Sequence, residues 1–150
     1  MSNEIDVWLR RIKAVEREYY AARFSVDRAL GQVRADPNIL TGDLRIREIE
    51  RTADFLEGTY IMRLFAEFES GLRLYFRLVR KRRPPSKTED LLNSVASRRG
   101  IPNEQLRKAH EVRGYRNDLV HERYENNEPM TIMDARRRLC YYFSFLPRDW

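Results

Sequence analysis

The run Arg113-Gly114-Tyr115-Arg116-Asn117-Asp118-Leu119-Val120-His121 brings an arginine, an amide and a histidine into one short stretch. Histidine titrates near neutral pH, so it can take the proton of a ribose 2′-hydroxyl or give one to a leaving 5′-oxygen. Arginine is permanently charged and can grip phosphate with two hydrogen bonds, which suits it to the negative charge of a pentacoordinate phosphorane. Asparagine can orient either partner. A reaction of that kind needs no metal.

The stretch reads as helix, and helical geometry sorts its side chains. At about 100° per residue, Arg116 falls about 40° from Val112, so its guanidinium rises from beside the core. Arg113, Asn117 and His121 follow one another at single-turn steps and make one polar stripe, with Tyr124 close to the same line if the helix lasts that far. Arg116 and His121, however, lie about 140° apart on an ideal helix. Three geometries remain open: the arginine reaches round, the helix ends before His121, or a second copy completes the site across a two-fold axis. A plainer reading stands beside these. His121 could occupy a helix C-terminus favoured by its dipole, and Arg116 could be the structural partner of a carboxylate. His110, without a motif partner, is expected on the surface.

Glu69 is the candidate carboxylate. It falls four residues after Phe65 and three before Leu72, so a helix places it among apolar side chains, where it needs a cation or hydrogen-bond donors. Local pairing with Arg73 at i+4 is one solution, and orientation of Arg113 or Arg116 is the other. A second charged feature is the run Arg77, Arg80, Lys81, Arg82 and Arg83, closed by Pro84-Pro85. These cations either complement a helix C-terminus or contact phosphate, with salt-dependent affinity.

Arginine, a polar residue after it, and histidine following after four to six intervening residues resembles the signature of the HEPN superfamily; Arg116, Asn117 and His121 match it at the shortest spacing. The stretch from Phe55 to Glu69 also resembles the second helix of those domains. The resemblance implies an all-α bundle and endonucleolytic cleavage of RNA by 2′-hydroxyl attack, leaving a cyclic phosphate. It further implies a homodimer with a composite site, and a role as a toxin or host-defence effector. Arg116, His121 and Asn117 would be catalytic; Arg113, Glu69, Tyr124, Arg80, Lys81, Arg82 and Arg83 would bind RNA or support the site. Some members of the family keep the fold and lose catalysis. The alternative is therefore a non-catalytic module that binds RNA, an antitoxin or another helical partner through the first-helix seam or Trp8.

The 150 residues suit a single domain with a real core, and 35% charged residues imply a heavily solvated exterior. A net charge of +6 permits nucleic acid as a partner without requiring it. No segment has the length and hydropathy of a membrane span and the first residues lack a signal core, so the expected location is the cytoplasm. The single Cys140 excludes an internal disulfide, and its apolar neighbours suggest a buried thiol. No ligand cluster with metal spacing is found, and no cofactor is called for. Glycine-rich phosphate loops, nucleophile elbows, paired cysteines and a DNA-binding helix-turn-helix have no support.

Apolar periodicity supplies the elements. Ile5, Trp8, Ile12, Val15, Tyr19, Ala22, Val26, Ala29 and Val33 recur at alternating steps of three and four, predicting a long helix that Asp36-Pro37 stops. This seam is either bundle core or a surface for a partner helix. Pro37 to Gly42 is a connector, and Asp43 to Glu50 is ambiguous. A second long helix is expected from about Thr52, with Phe55, Leu56, Tyr60, Ile61, Leu64, Phe65, Phe68, Leu72, Tyr75, Phe76 and Val79 as the main wall of the core. Ser86 and Glu89 have capping-box spacing for a short helix over 90–97. The motif helix opens at Pro102-Asn103, carries Leu106, Ala109, Val112, Leu119 and Val120, and runs to about Glu122 or Arg123. Thr131 and Asp134 cap a last helix with Ile132, Ala135, Leu139, Tyr142 and Leu146 inward, closed by Pro147. The prediction is an all-α bundle of four main helices and one short helix.

Overall fold

A computed structural model describes residues 4–122 and 127–150. Among them are five α-helices: α1 (Glu4–Ala35), α2 (Ile46–Arg80), α3 (Thr88–Arg99), α4 (Asn103–His121) and α5 (Ile132–Phe143), with one 3-10 turn at Pro37–Ile39. No strand occurs among the described residues, and the molecule is an all-α bundle. No helix there is long and apolar enough to cross a membrane.

Local chemistry sets most boundaries. Asp36 accepts from the Asn38 N–H and ends α1 at the proline. The ambiguous segment is helical from Ile46 onward, so α2 begins there instead of near Thr52; the Arg45 N–H donates to Glu48 Oε2 at 2.7 Å and closes its first turn. The Ser86/Glu89 capping box does not form: α3 begins after Lys87 without a side-chain cap, while the carbonyls of Pro85 and Ser86 are taken by Arg73. The helix then runs past 97 to Arg99, where Gly100 turns left-handed. Thr131 does cap α5, accepting from the Asp134 N–H at 3.1 Å. That helix stops at Phe143, short of Pro147, yet the following turn still buries Leu146.

The core lies where α1, α2 and α5 converge. Ile5, Trp8, Ile12, Val15 and Tyr19 are buried against α2 and α5 within the chain, which removes this part of the seam, and Trp8, as surface for a partner helix. Gly71 marks the closest approach: a Cβ there would stand 2.7 Å from the Trp8 ring and 2.9 Å from Phe143 Cζ. Phe68 meets Tyr142 and Phe143 edge-on, at 5.6 and 5.2 Å between ring centroids. Cys140 is half-buried, not the buried thiol that its apolar neighbours suggest, and burial still pushes its thiol up to about 11.

Three residues assigned to the apolar face are exposed instead, Phe55, Val79 and Val120. Phe55 lies about 120° round the helix from Ile61, outside the buried arc. Val79 and Val120 stand in the last turns of α2 and α4, past the packed portions of those faces. It is Leu119 that packs inward at this end of α4, 3.0 Å from the position a Cβ of Gly58 would take.

Candidate functional site

The C-terminal half of α4 lies against the middle of α2 and the start of α3. Phe65 and Glu69, one turn apart on α2, present a ring and a carboxylate toward α4. Arg116 uses both: its guanidinium carbon sits 4.9 Å from the Phe65 ring centroid, and Nη2 donates to Glu69 Oε2 at 3.2 Å. Nη1 donates to Asn117 Oδ1 at 2.9 Å. The arginine that helical geometry places beside the core is therefore half-buried and held on three sides.

Glu69 satisfies both readings made of it. Oε1 accepts from Arg73 Nε and Nη2, at 3.0 and 2.8 Å, and from the Thr88 hydroxyl at 2.7 Å, while Oε2 faces Arg116. Burial pushes the Glu69 carboxyl up, but the Thr88 hydrogen bond, the Arg73 pair and the Arg116 charge outweigh it and hold the group below the usual carboxylate range. Thr88 at the start of α3 carries no signal in the sequence, because its role comes from a loop that folds back along α2. Arg73, by donating to the carbonyls of Pro85 and Ser86, fixes that loop.

Arg113 turns to a different set of partners. Its Nε donates to His110 Nδ1 at 3.3 Å, and Nη2 lies 3.5 Å from Glu89 Oε2 of α3. Since arginine can only donate, Nδ1 of His110 is the acceptor and its proton sits on Nε2, which donates to Asn93 Oδ1 at 2.8 Å. His110 is thus half-buried and bonded through both ring nitrogens, not the free surface residue expected. Burial first, then the Arg113 charge, lower its pKa, with Glu89 opposing.

His121 is the last residue of α4 and is exposed. Glu122 follows in the left-handed region, at φ 52°, and its N–H caps the Asp118 carbonyl. The helix therefore ends after His121, and among the described residues no hydrogen bond or ion pair fixes the imidazole. It lies five positions after Arg116, a rise of about 7.5 Å. Tyr124 lies outside the described residues. Asp118, between the two motif ends, is buried at 7% exposure and accepts from Asn127 Nδ2 at 2.6 Å. Asn127 reaches it across Gly114, where a Cβ would stand 2.7 Å from Asn127 Oδ1, so a larger residue there would have to displace the Asn127 side chain.

The basic run does not join this cluster. Arg80 ends α2, Lys81 is its left-handed cap and Arg82 and Arg83 are exposed in the following loop. Arg80 lies eleven positions after Glu69, about 16 Å along α2. No group of three or more His, Cys, Asp and Glu side chains that could hold a metal ion occurs among the described residues.

No protein-family model matches the chain, and comparisons with curated proteins and with solved structures find no match either.

Proposed function

We propose that the chain is a metal-independent endoribonuclease of the HEPN type, with Arg116 stabilising phosphorane charge, His121 transferring protons and Asn117 orienting the arginine. The observation that carries this reading is the Arg116 anchorage: a guanidinium half-buried over Phe65 and held by Glu69 and Asn117 is positioned before any substrate arrives, which is what electrostatic catalysis requires. His121, exposed and unpaired among the described residues at the end of α4, is accessible to RNA or to a second protomer. Because it lies about 140° round α4 from Arg116, the reading includes a homodimer in which the arginine of one protomer and the histidine of the other share a phosphate. An effector role, as a toxin or in host defence, belongs to this same reading.

One observation favours the non-catalytic alternative, an RNA-binding or partner-binding module. Glu69 neutralises Arg116, and Asn117 spends its carbonyl on the same guanidinium, so the cluster is already satisfied without a phosphate.

The test is incubation of the pure protein with labelled, structured RNA in EDTA, comparing wild type with His121→Ala and Arg116→Ala. Cleavage by wild type alone, with cyclic phosphate ends, is the expected result. Mixing the two inactive variants should restore part of the activity if the site is shared between protomers. Cleavage that survives both substitutions would refute the assignment, and a folded dimer that binds RNA without cutting it would establish the module instead.

A further inference from the structure

A second cluster of arginines stands at the far end of α2. The last turns of α2 and α3 meet there around a pocket of about 180 Å³, floored by Tyr75, Phe76 and Val79 of α2 and Val95 of α3. Arg80, Arg98 and Arg99 form its polar side. A fourth arginine, Arg82, places its guanidinium carbon 5.6 Å from the Phe76 ring centroid.

These cations lack counter-ions. Among the described residues, no carboxylate lies within ion-pair distance of Arg80, Arg82, Arg98 or Arg99, whereas Arg73, Arg107, Arg116, Arg136 and Arg138 all have one. Arg99 gives its Nε to the Phe145 carbonyl at 3.1 Å and keeps its two terminal nitrogens. Arg80 Nε is buried with no acceptor among the described residues. The same is true of Trp150 Nε1, whose ring packs edge-on against Tyr75 at 5.3 Å between centroids.

Helix dipoles are the first cause to weigh. Two helix C-termini converge here, each worth roughly half a negative charge, and cations are favoured at such ends. That accounts for about one positive charge; the three arginines lining the pocket carry about three. The excess is unpaired, and an acidic ligand in the pocket answers it. The volume is below the roughly 300 Å³ at which pockets begin to take whole small molecules, so it fits one acidic group with a small part of what carries it.

We propose that this pocket binds a phosphate monoester, Arg80, Arg98 and Arg99 holding the dianion while the Tyr75, Phe76 and Val95 wall receives the adjoining carbon framework. Arginine forks match the geometry of a terminal phosphate, and a dianion balances the excess charge better than a carboxylate would. The site is about 16 Å along α2 from Glu69 and does not depend on the ribonuclease reading.

The experiment is isothermal titration of the whole chain at pH 7.5 with inorganic phosphate, with adenosine 5′-monophosphate and with adenosine, at an ionic strength held constant with sodium chloride. Saturable binding of phosphate, with the nucleotide tighter and adenosine silent, is the expected pattern and identifies an ester as the ligand. Phosphate binding as tightly as the nucleotide would support the anion site and assign it to the free ion. Arg98 is exposed, so Arg98→Gln leaves folding intact and should weaken binding at least tenfold; Arg80→Met should do the same. Absence of saturable binding by either phosphate compound overturns the proposal. So does unchanged affinity in Arg98→Gln, whatever Arg80→Met does to the fold.

Discussion

Replacing Glu69 by glutamine tests the anchorage of Arg116 directly. The side chain keeps its size and loses its charge, so its four accepted hydrogen bonds, three of them from arginine, lose an ionised acceptor. Breaking a fully buried ion pair costs about 3–5 kcal/mol and an exposed one about 0–1 kcal/mol. With Glu69 at 19% exposure, Arg73 at 29% and Arg116 at 27%, the network lies between these limits. We expect a loss of about 2 kcal/mol, which for a chain of this size is about 4–8 °C in Tm. A double-mutant cycle with Arg116→Met, read by urea unfolding, should return a coupling of about 0.5–1 kcal/mol, smaller than the cycle with Arg73→Met because Arg116 makes a single longer contact. The sign with pH follows from the carboxyl being held below its ordinary 4.5. The folded form binds fewer protons than the unfolded chain, so this stability is present above about pH 4.5 and is lost as the pH falls below it. The gap between wild type and Glu69→Gln should therefore close in acid. A variant within about 0.5 kcal/mol of wild type at neutral pH, or a cycle with Arg116 that returns zero, would mean that the carboxylate does not hold the arginine.

Three further substitutions probe other parts of the argument. Gly71→Ala should destabilise, because overpacking costs about 1–3 kcal/mol and the Trp8 ring and Phe143 have no room to move; thermal unfolding reads the loss. Gly58→Ala meets only the end of the Leu119 side chain, so the helix-propensity gain of about 1 kcal/mol should leave it clearly more stable than Gly71→Ala in the same assay. For His110, a lowered folded pKa means that the unfolded chain takes up the proton first, so stability is present above pH 6.5 and declines as the pH falls through it. His110→Gln should show a smaller drop in urea midpoint between pH 7.5 and 5.5 than wild type; an equal drop would place the titration elsewhere.

Periodicity alone located the long helices, since a seam repeating at three and four residues has only one folded solution when it must be buried. Turn chemistry was legible at the Asp36-Pro37 stop and at the Thr131 cap, and misleading at Ser86, where α3 begins one residue later, after Lys87, and Arg73 holds the Pro85 and Ser86 carbonyls. Ends of helices were the weak point: Val79 and Val120 fit the apolar pattern of their helices, but they stand in the last turns and remain about half exposed. Within the site, Glu69 could be singled out because a carboxylate on a core face needs a reason, and the choice between Arg73 and Arg116 proved unnecessary. Thr88, Asn93 and Asn127 could not be found, since each reaches its partner through tertiary placement and belongs to no local pattern.

The two ends of the motif differ in physical standing, and that difference constrains any mechanism built on them. Arg116 is fixed by interactions that span α2 and α4, so moving it toward a substrate would break its contact with Glu69 Oε2 and leave that oxygen without its partner, although Arg73 and Thr88 still hold Oε1. His121 has no such tie among the described residues and follows only the backbone of the last turn. A phosphate that both must touch would therefore come to the arginine, and the histidine would be brought to it. Within one chain that needs the turn after α4 to reorganise around the left-handed Glu122; between two chains it needs only that α4 ends face each other, which a two-fold axis provides without deforming either protomer.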